Sequence, residues 1–201
     1  MKDIYILRHG QTLYNLQKRV QGKGINSSLD EVGKAQGMAF FDAYKDIPFE
    51  LVITSSLNRT IETVSPFIDL GIPHLQFEEL DEISWGVYEG KEATEELHRE
   101  HKQLITHWKN GLYEARITEG ESALEMQARL HQFVRQLIAR PEKQILICTH
   151  GGSLAFLMTI LQQEPLSKMP KYKHHNTGLC KFYFDGEAFQ LQIQDDVAHL
   201  E

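Results

Sequence analysis

Three short runs, Ile4–Leu7, Leu51–Thr54 and Gln144–Thr149, constrain the fold more than any other feature of the chain. Each is rich in apolar or β-branched residues, and each is followed by a segment with helical periodicity. Strands that alternate with helices predict an α/β fold, a three-layer α/β/α sandwich around a mostly parallel sheet. Near the end of the chain, Leu179–Phe184 and Ala188–Ile193 flank Asp185-Gly186, a hairpin signal that predicts an antiparallel edge.

Two helices are marked individually. Ser122 and Glu125 form a capping-box pattern, after which Leu130, Val134, Leu137 and Ile138 recur on one face until Pro141. A second helix is predicted through Leu97, His101, Leu104, Ile105 and Trp108, ending near Gly111. The length of 201 residues suits one domain, 1–201. Within it the stretch of about 84–118, carrying Trp85, Tyr88, Trp108 and Tyr113, reads as an insertion that caps one end of the sheet.

The formal net charge of −7 argues against a nucleic-acid partner, which favours a basic face. An anionic substrate would need a local cluster of positive charge to overcome that global field. No apolar run approaches a membrane span, so no membrane partner is expected. Met1-Lys2-Asp3 runs straight into a strand without a leader pattern, which predicts a cytoplasmic location. Cys148 and Cys180 sit inside apolar runs and read as buried thiols of a reducing compartment.

The chemistry gathers where the strands end. Ile4–Leu7 leads into Arg8-His9-Gly10, Leu51–Thr54 into Ser55-Ser56-Leu57-Asn58-Arg59, and Gln144–Thr149 into His150-Gly151-Gly152. Ligands of open α/β sheets bind beyond the carboxyl ends of the strands. Parallel strands would bring these two arginines and two histidines to one edge, where arginine's planar fork suits phosphate oxygens and helix N-termini add free N–H groups. Glycine directly after each histidine lets the backbone approach a ligand closely. The set reads as an anion pocket with a nucleophile, and it needs no metal or cofactor because the protein supplies the positive charge.

These residues resemble a known family. Leu7-Arg8-His9-Gly10-Gln11-Thr12 with Asn15 resembles the signature of the histidine phosphatase superfamily, also called phosphoglycerate mutase-like. Gln21-Gly22, the segment Ser28-Leu29 to Gln36, Ser55–Thr63, Leu80–Gly90, Gly120-Glu121-Ser122, Thr149–Gly152 and Asn176-Thr177-Gly178 follow in the family's order. This chain has one extra residue around Gly24-Ile25, and Asn26 and Ser28 stand where aspartate and proline are usual.

The resemblance implies roles. His9 would take the phosphoryl group, and Arg8, Arg59 and His150 would hold its equatorial oxygens. Asn15 would add a hydrogen bond, and Glu82 would protonate the leaving oxygen and then assist water. Gln21, Gly22, Gly151 and Asn176 would complete a binding set for a small phosphorylated metabolite. The acid segment, Glu82 to Gly90, is similar to the phosphatase branch, with a phosphoglycerate mutase as the alternative activity. A non-catalytic binding member of the fold is a weaker reading, because none of the five central residues is missing.

Plainer readings stand beside these. Arg59 could pair with Glu62 on a helix face. His98, His101 and His107 invite a metal reading but suit a helix surface, and Lys171–His175 reads as a solvated basic turn ahead of Asn176. Ser122 reads as a helix cap rather than a reactive hydroxyl.

Overall fold

A computed structural model describes residues 1–201. The elements run β1 (Lys2–Arg8), α1 (Leu13–Leu16), α2 (Glu31–Tyr44), β2 (Leu51–Thr54), α3 (Asn58–Asp69), β3 (His74–Gln76), α4 (Glu95–Lys109), α5 (Ala123–Ala139), β4 (Gln144–Thr149), α6 (Gly151–Leu161), β5 (Leu179–Phe184) and β6 (Phe189–Asp196). Six strands form one sheet in the order β3-β2-β4-β1-β5-β6. The first four are mutually parallel, and β5 and β6 add the antiparallel edge.

The central strands are apolar at nearly every position because both faces are covered. Alternate side chains go to opposite sides. Ile4, Ile6, Leu51, Ile53, Ile145 and Ile147 join one core with Met126, Leu130 and Phe133 of α5 and Leu154 and Leu157 of α6. Tyr5, Leu7, Val52, Leu146 and Cys148 join the other with Phe40 of α2 and Val64 and Phe67 of α3. Both cysteines are buried free thiols, as the apolar runs around them imply.

The edge hairpin extends beyond the predicted stretch. β6 continues to Asp196, with Phe189, Leu191 and Ile193 half-buried while Gln190, Gln192 and Gln194 face solvent. One strand, β3, was not anticipated: His74-Leu75-Gln76 is too short to carry a period of its own and is set by pairing with β2.

Between the turn at Glu78–Leu80 and α5 lies the stretch of about 84–118. Its helix α4 starts at the Thr94 cap and ends before Gly111, whose φ of +85° suits glycine. Trp108 is fully buried, packs edge-on against Phe156 of α6 at 5.7 Å, and donates from Nε1 to the Ala115 carbonyl at 2.9 Å. No helix is long and apolar enough to cross a membrane.

Helix α5 starts where the capping box places it. Ser122 Oγ accepts from the Glu125 N–H at 3.3 Å, and Glu125 returns a carboxylate to the Ser122 N–H at 2.9 Å. It stops at Arg140, which Pro141 holds extended. Ser122→Ala removes one half of the box and should lower the unfolding free energy by about 1 kcal/mol. Urea titration reads this as a lower midpoint at an unchanged slope.

Candidate active site

Arg8 lies opposite Thr149 in the β1–β4 ladder, so both strands release the chain at the same level. The next residues are His9 and His150, whose ring centroids are 5.2 Å apart. The His9 backbone N–H is tied to the Thr149 carbonyl at 2.9 Å, and both rings are buried.

The His9 ring is oriented by a 2.7 Å hydrogen bond from Nδ1 to the Gly10 carbonyl. A carbonyl only accepts, so the proton sits on Nδ1 and the lone pair on Nε2. Burial first, then the charges of Arg59 and Arg8, hold its pKa well below 6.5. The ring is therefore neutral at pH 7, the state in which imidazole is nucleophilic.

His150 has the reverse tautomer. Its Nδ1 accepts from Arg59 Nε at 3.1 Å, leaving the proton on Nε2, 2.8 Å from Ser55 Oγ. Burial, Arg59 and His9 likewise press its pKa well below 6.5.

Arg59 is fully buried, and burial brings it down to about 10, still cationic at pH 7. Its Nη1 and Nη2 donate to the carbonyls of Ile25 at 2.6 Å and Gly22 at 3.4 Å. The Gln21 amide, oriented to satisfy its neighbours, donates to Thr12 Oγ1 at 2.7 Å and accepts from Arg59 at 3.0 Å. The pairing with Glu62 does not form, since Glu62 accepts instead from the Leu29 N–H at 2.8 Å. The loop from Gly22 to Ile25 thus bears directly on Arg59. Asn26 also has work: its Oδ1 accepts from the Asn58 N–H at 2.8 Å, at the start of α3, where Leu57 offers no side-chain cap.

Arg8 donates through Nη1 to the His174 carbonyl at 2.9 Å, while its buried Nε has no protein partner. Asn15 accepts from the Thr12 N–H at 3.2 Å, and Asn176 donates to the His9 carbonyl at 2.8 Å. These two amides brace the loop that carries His9.

Glu82 is buried at the start of α6. Its carboxylate accepts from the N–H groups of Ile83 at 2.9 Å and of Gly152 and Ser153 at 3.0 Å each. A Cβ on Gly152 would stand 2.5 Å from Glu82 Oε1, and one on Gly151 would stand 3.3 Å from Arg8 Nε. The glycines after His150 therefore make room for the acid on one side and a guanidinium on the other.

The turn before Asn176 departs from the sequence expectation. Lys171, Lys173 and His175 are exposed, but Tyr172 and His174 are buried. Burial takes His174 down to about 4 despite Asp195 nearby, so the segment is an anchor for Arg8 as well as a basic surface. On α4, His101 stands edge-on to Trp85 at 5.0 Å, a packing contact.

Sequence reading missed the supporting residues. Arg129 of α5 clamps the acid segment: it donates to the carbonyls of Glu79 at 2.6 Å and Glu82 at 3.3 Å, and binds both oxygens of Glu121 at 2.7 and 2.9 Å. Asp81 accepts from the N–H and hydroxyl of Ser56, each at 2.8 Å. Thr63 Oγ1 accepts from the Gly10 N–H at 2.9 Å and donates to the Arg59 carbonyl at 2.6 Å.

Residues 4–196 match the histidine phosphatase superfamily (branch 1). The chain belongs to this superfamily. A Yersinia pestis (strain Pestoides F) relative named probable phosphoglycerate mutase GpmB is 28% identical over 211 residues, covering 100% of this chain and 96% of its own. Among solved structures, Bacillus stearothermophilus YhfR is 29% identical at a TM-score of 0.86, over 100% of both chains. A mycobacterial glucosyl-3-phosphoglycerate phosphatase, solved with VO3, shares the fold at a TM-score of 0.85 and 22% identity, over 98% of this chain and 100% of that one.

Three buried neutral imidazoles should make the stability of this fold acid-sensitive. The folded pKa values of His9, His150 and His174 lie below 6.5, so the unfolded chain binds more protons as pH falls. Stability is full above about 6.5, the ordinary histidine value, and is lost as pH drops toward the folded values. Denaturant midpoints should fall from pH 7 to pH 5. Equal midpoints would show that these rings are protonated in the native state.

Proposed function

We propose that this histidine phosphatase is a metal-independent hydrolase of a small phosphomonoester metabolite, working through a phosphohistidine at His9. The observation that carries the reading is the Nδ1 bond to Gly10, which leaves Nε2 as the lone pair beside Arg8, Arg59 and His150. The imidazole attacks phosphorus, and the bond from phosphorus to the alkoxy oxygen breaks. Glu82 supplies the proton that the departing oxygen takes. Water then attacks the phosphohistidine, returns a proton to Glu82, and leaves phosphate and free His9.

Arg8, Arg59, His150 and Asn15 hold the phosphoryl oxygens as charge spreads over them. Arg8 Nε is ready for that role, because a buried unpaired donor costs about 1–3 kcal/mol that an oxyanion recovers. Arg59 exchanges its bonds to Ile25 and Gly22 for the anion. Gln21, Gly22, Gly151 and Asn176 line and brace the same pocket. The stretch of about 84–118 acts as the cap over it. A cytoplasmic setting fits the two free thiols.

The relative named as a phosphoglycerate mutase favours a second reading, in which a glycerate oxygen rather than water accepts the phosphoryl group. Rapid quench with labelled substrate should trap an acid-labile, base-stable label that His9→Ala abolishes and EDTA leaves intact. Isomerisation of 3-phosphoglycerate outrunning phosphate release would establish the mutase. Full activity in His9→Ala would end both readings.

Glu82→Gln should lower kcat by about 10²–10⁴-fold, the usual share of general acid catalysis. The loss should shrink with p-nitrophenyl phosphate, whose leaving group needs little protonation. An equal loss for alkyl and nitrophenyl esters would assign the acid elsewhere.

A further inference from the structure

A cavity of about 350 Å³ opens against the start of α6, within the size range of small-molecule sites. Gly151 and Gly152 form part of its lining, and the Gly152 N–H holds Glu82 at 3.0 Å. The cavity therefore opens beside the group that protonates the departing oxygen in the proposed mechanism, and it offers space for the alcohol half of the ester.

The walls are apolar: Ile83, Trp85, Ile105, Trp108, Phe156 and Met169. No lysine, arginine, aspartate or glutamate lines it. Two polar atoms of its aromatic lining, on Trp108 and Tyr172, are already engaged elsewhere. Trp108 Nε1 donates to Ala115, and the Tyr172 hydroxyl donates to Glu164 at 2.7 Å while accepting from Gln162 at 2.6 Å. His101 is exposed and stands at the mouth. Beyond Trp85 and His101 a second cavity of about 270 Å³ continues with Val20, Tyr88, Ala93 and Leu97.

We infer that the leaving-group site takes the phosphomonoester of a bulky apolar or aromatic alcohol. Such a group gains by leaving water, whereas a carboxylate placed there would lose its hydration and find no cation among the lining residues. This rests on the phosphatase reading and narrows it: the wall that accepts an apolar alcohol disfavours 3-phosphoglycerate.

The test is kcat/KM for phosphate release across ethyl, butyl and hexyl phosphate, with 3-phosphoglycerate beside them. The value should rise by up to about fourfold per methylene, the full worth of burying each one, and hexyl phosphate should exceed 3-phosphoglycerate. Ile105→Arg sets a guanidinium in the wall and should lower the hexyl to 3-phosphoglycerate ratio at least about tenfold, since a desolvated charge pair is worth that much. Ala155→Leu fills the cavity and should end the rise at a shorter chain. Each ratio is read within one variant, so the folded fraction cancels. A flat series with His9-dependent release overturns the apolar site and leaves the phosphatase standing, as does a preference for 3-phosphoglycerate. No release from any ester overturns both.

Discussion

Arg8 faces Thr149 across the parallel pair β1–β4, and the site depends on that register. It puts His9 and His150 one step beyond the sheet at equal height. A slip by one residue would turn each side chain to the opposite face and pull the rings apart. The apolar alternation that fills the two cores forbids the slip, because it would exchange Ile4 and Ile6 for Tyr5 and Leu7. The packing that makes the sandwich and the geometry that makes the site are one constraint.

Around that pair the protein concentrates positive charge on a chain with a net charge of −7. Arg59 stays cationic although fully buried, and its field together with desolvation keeps both imidazoles neutral. The two histidines then divide by tautomer. A backbone carbonyl takes the Nδ1 proton of His9, and a guanidinium donates to Nδ1 of His150. One ring is left with a free lone pair, and the other is fixed in place.

The strands other than β3, their order of chemistry and the helix at Ser122 were legible because each signal is local: a short apolar run, a cap, a residue directly after a strand. His9, Arg59 and His150 stood out for the same reason, whereas Glu82, one of several acids in its segment, was picked out only by resemblance to a family. The supports were not. Arg129 sits on a helix among other polar residues, and only the fold shows that its guanidinium reaches the carbonyls of the acid segment. Asn26 caps a helix 32 residues away. His174 looked like part of a basic turn, and its burial comes from the packing around it. Long-range hydrogen bonds to backbone atoms leave no period or spacing in a sequence.

The chain contains two tryptophans, Trp85 and Trp108, and both stand in the wall of the cavity beside Glu82. One is half-buried and the other fully buried, so they sample different polarity. Tryptophan emission is therefore not an average over this molecule. It is a spectroscopic report from a single place, and anything that enters the cavity changes the surroundings of every indole the protein has.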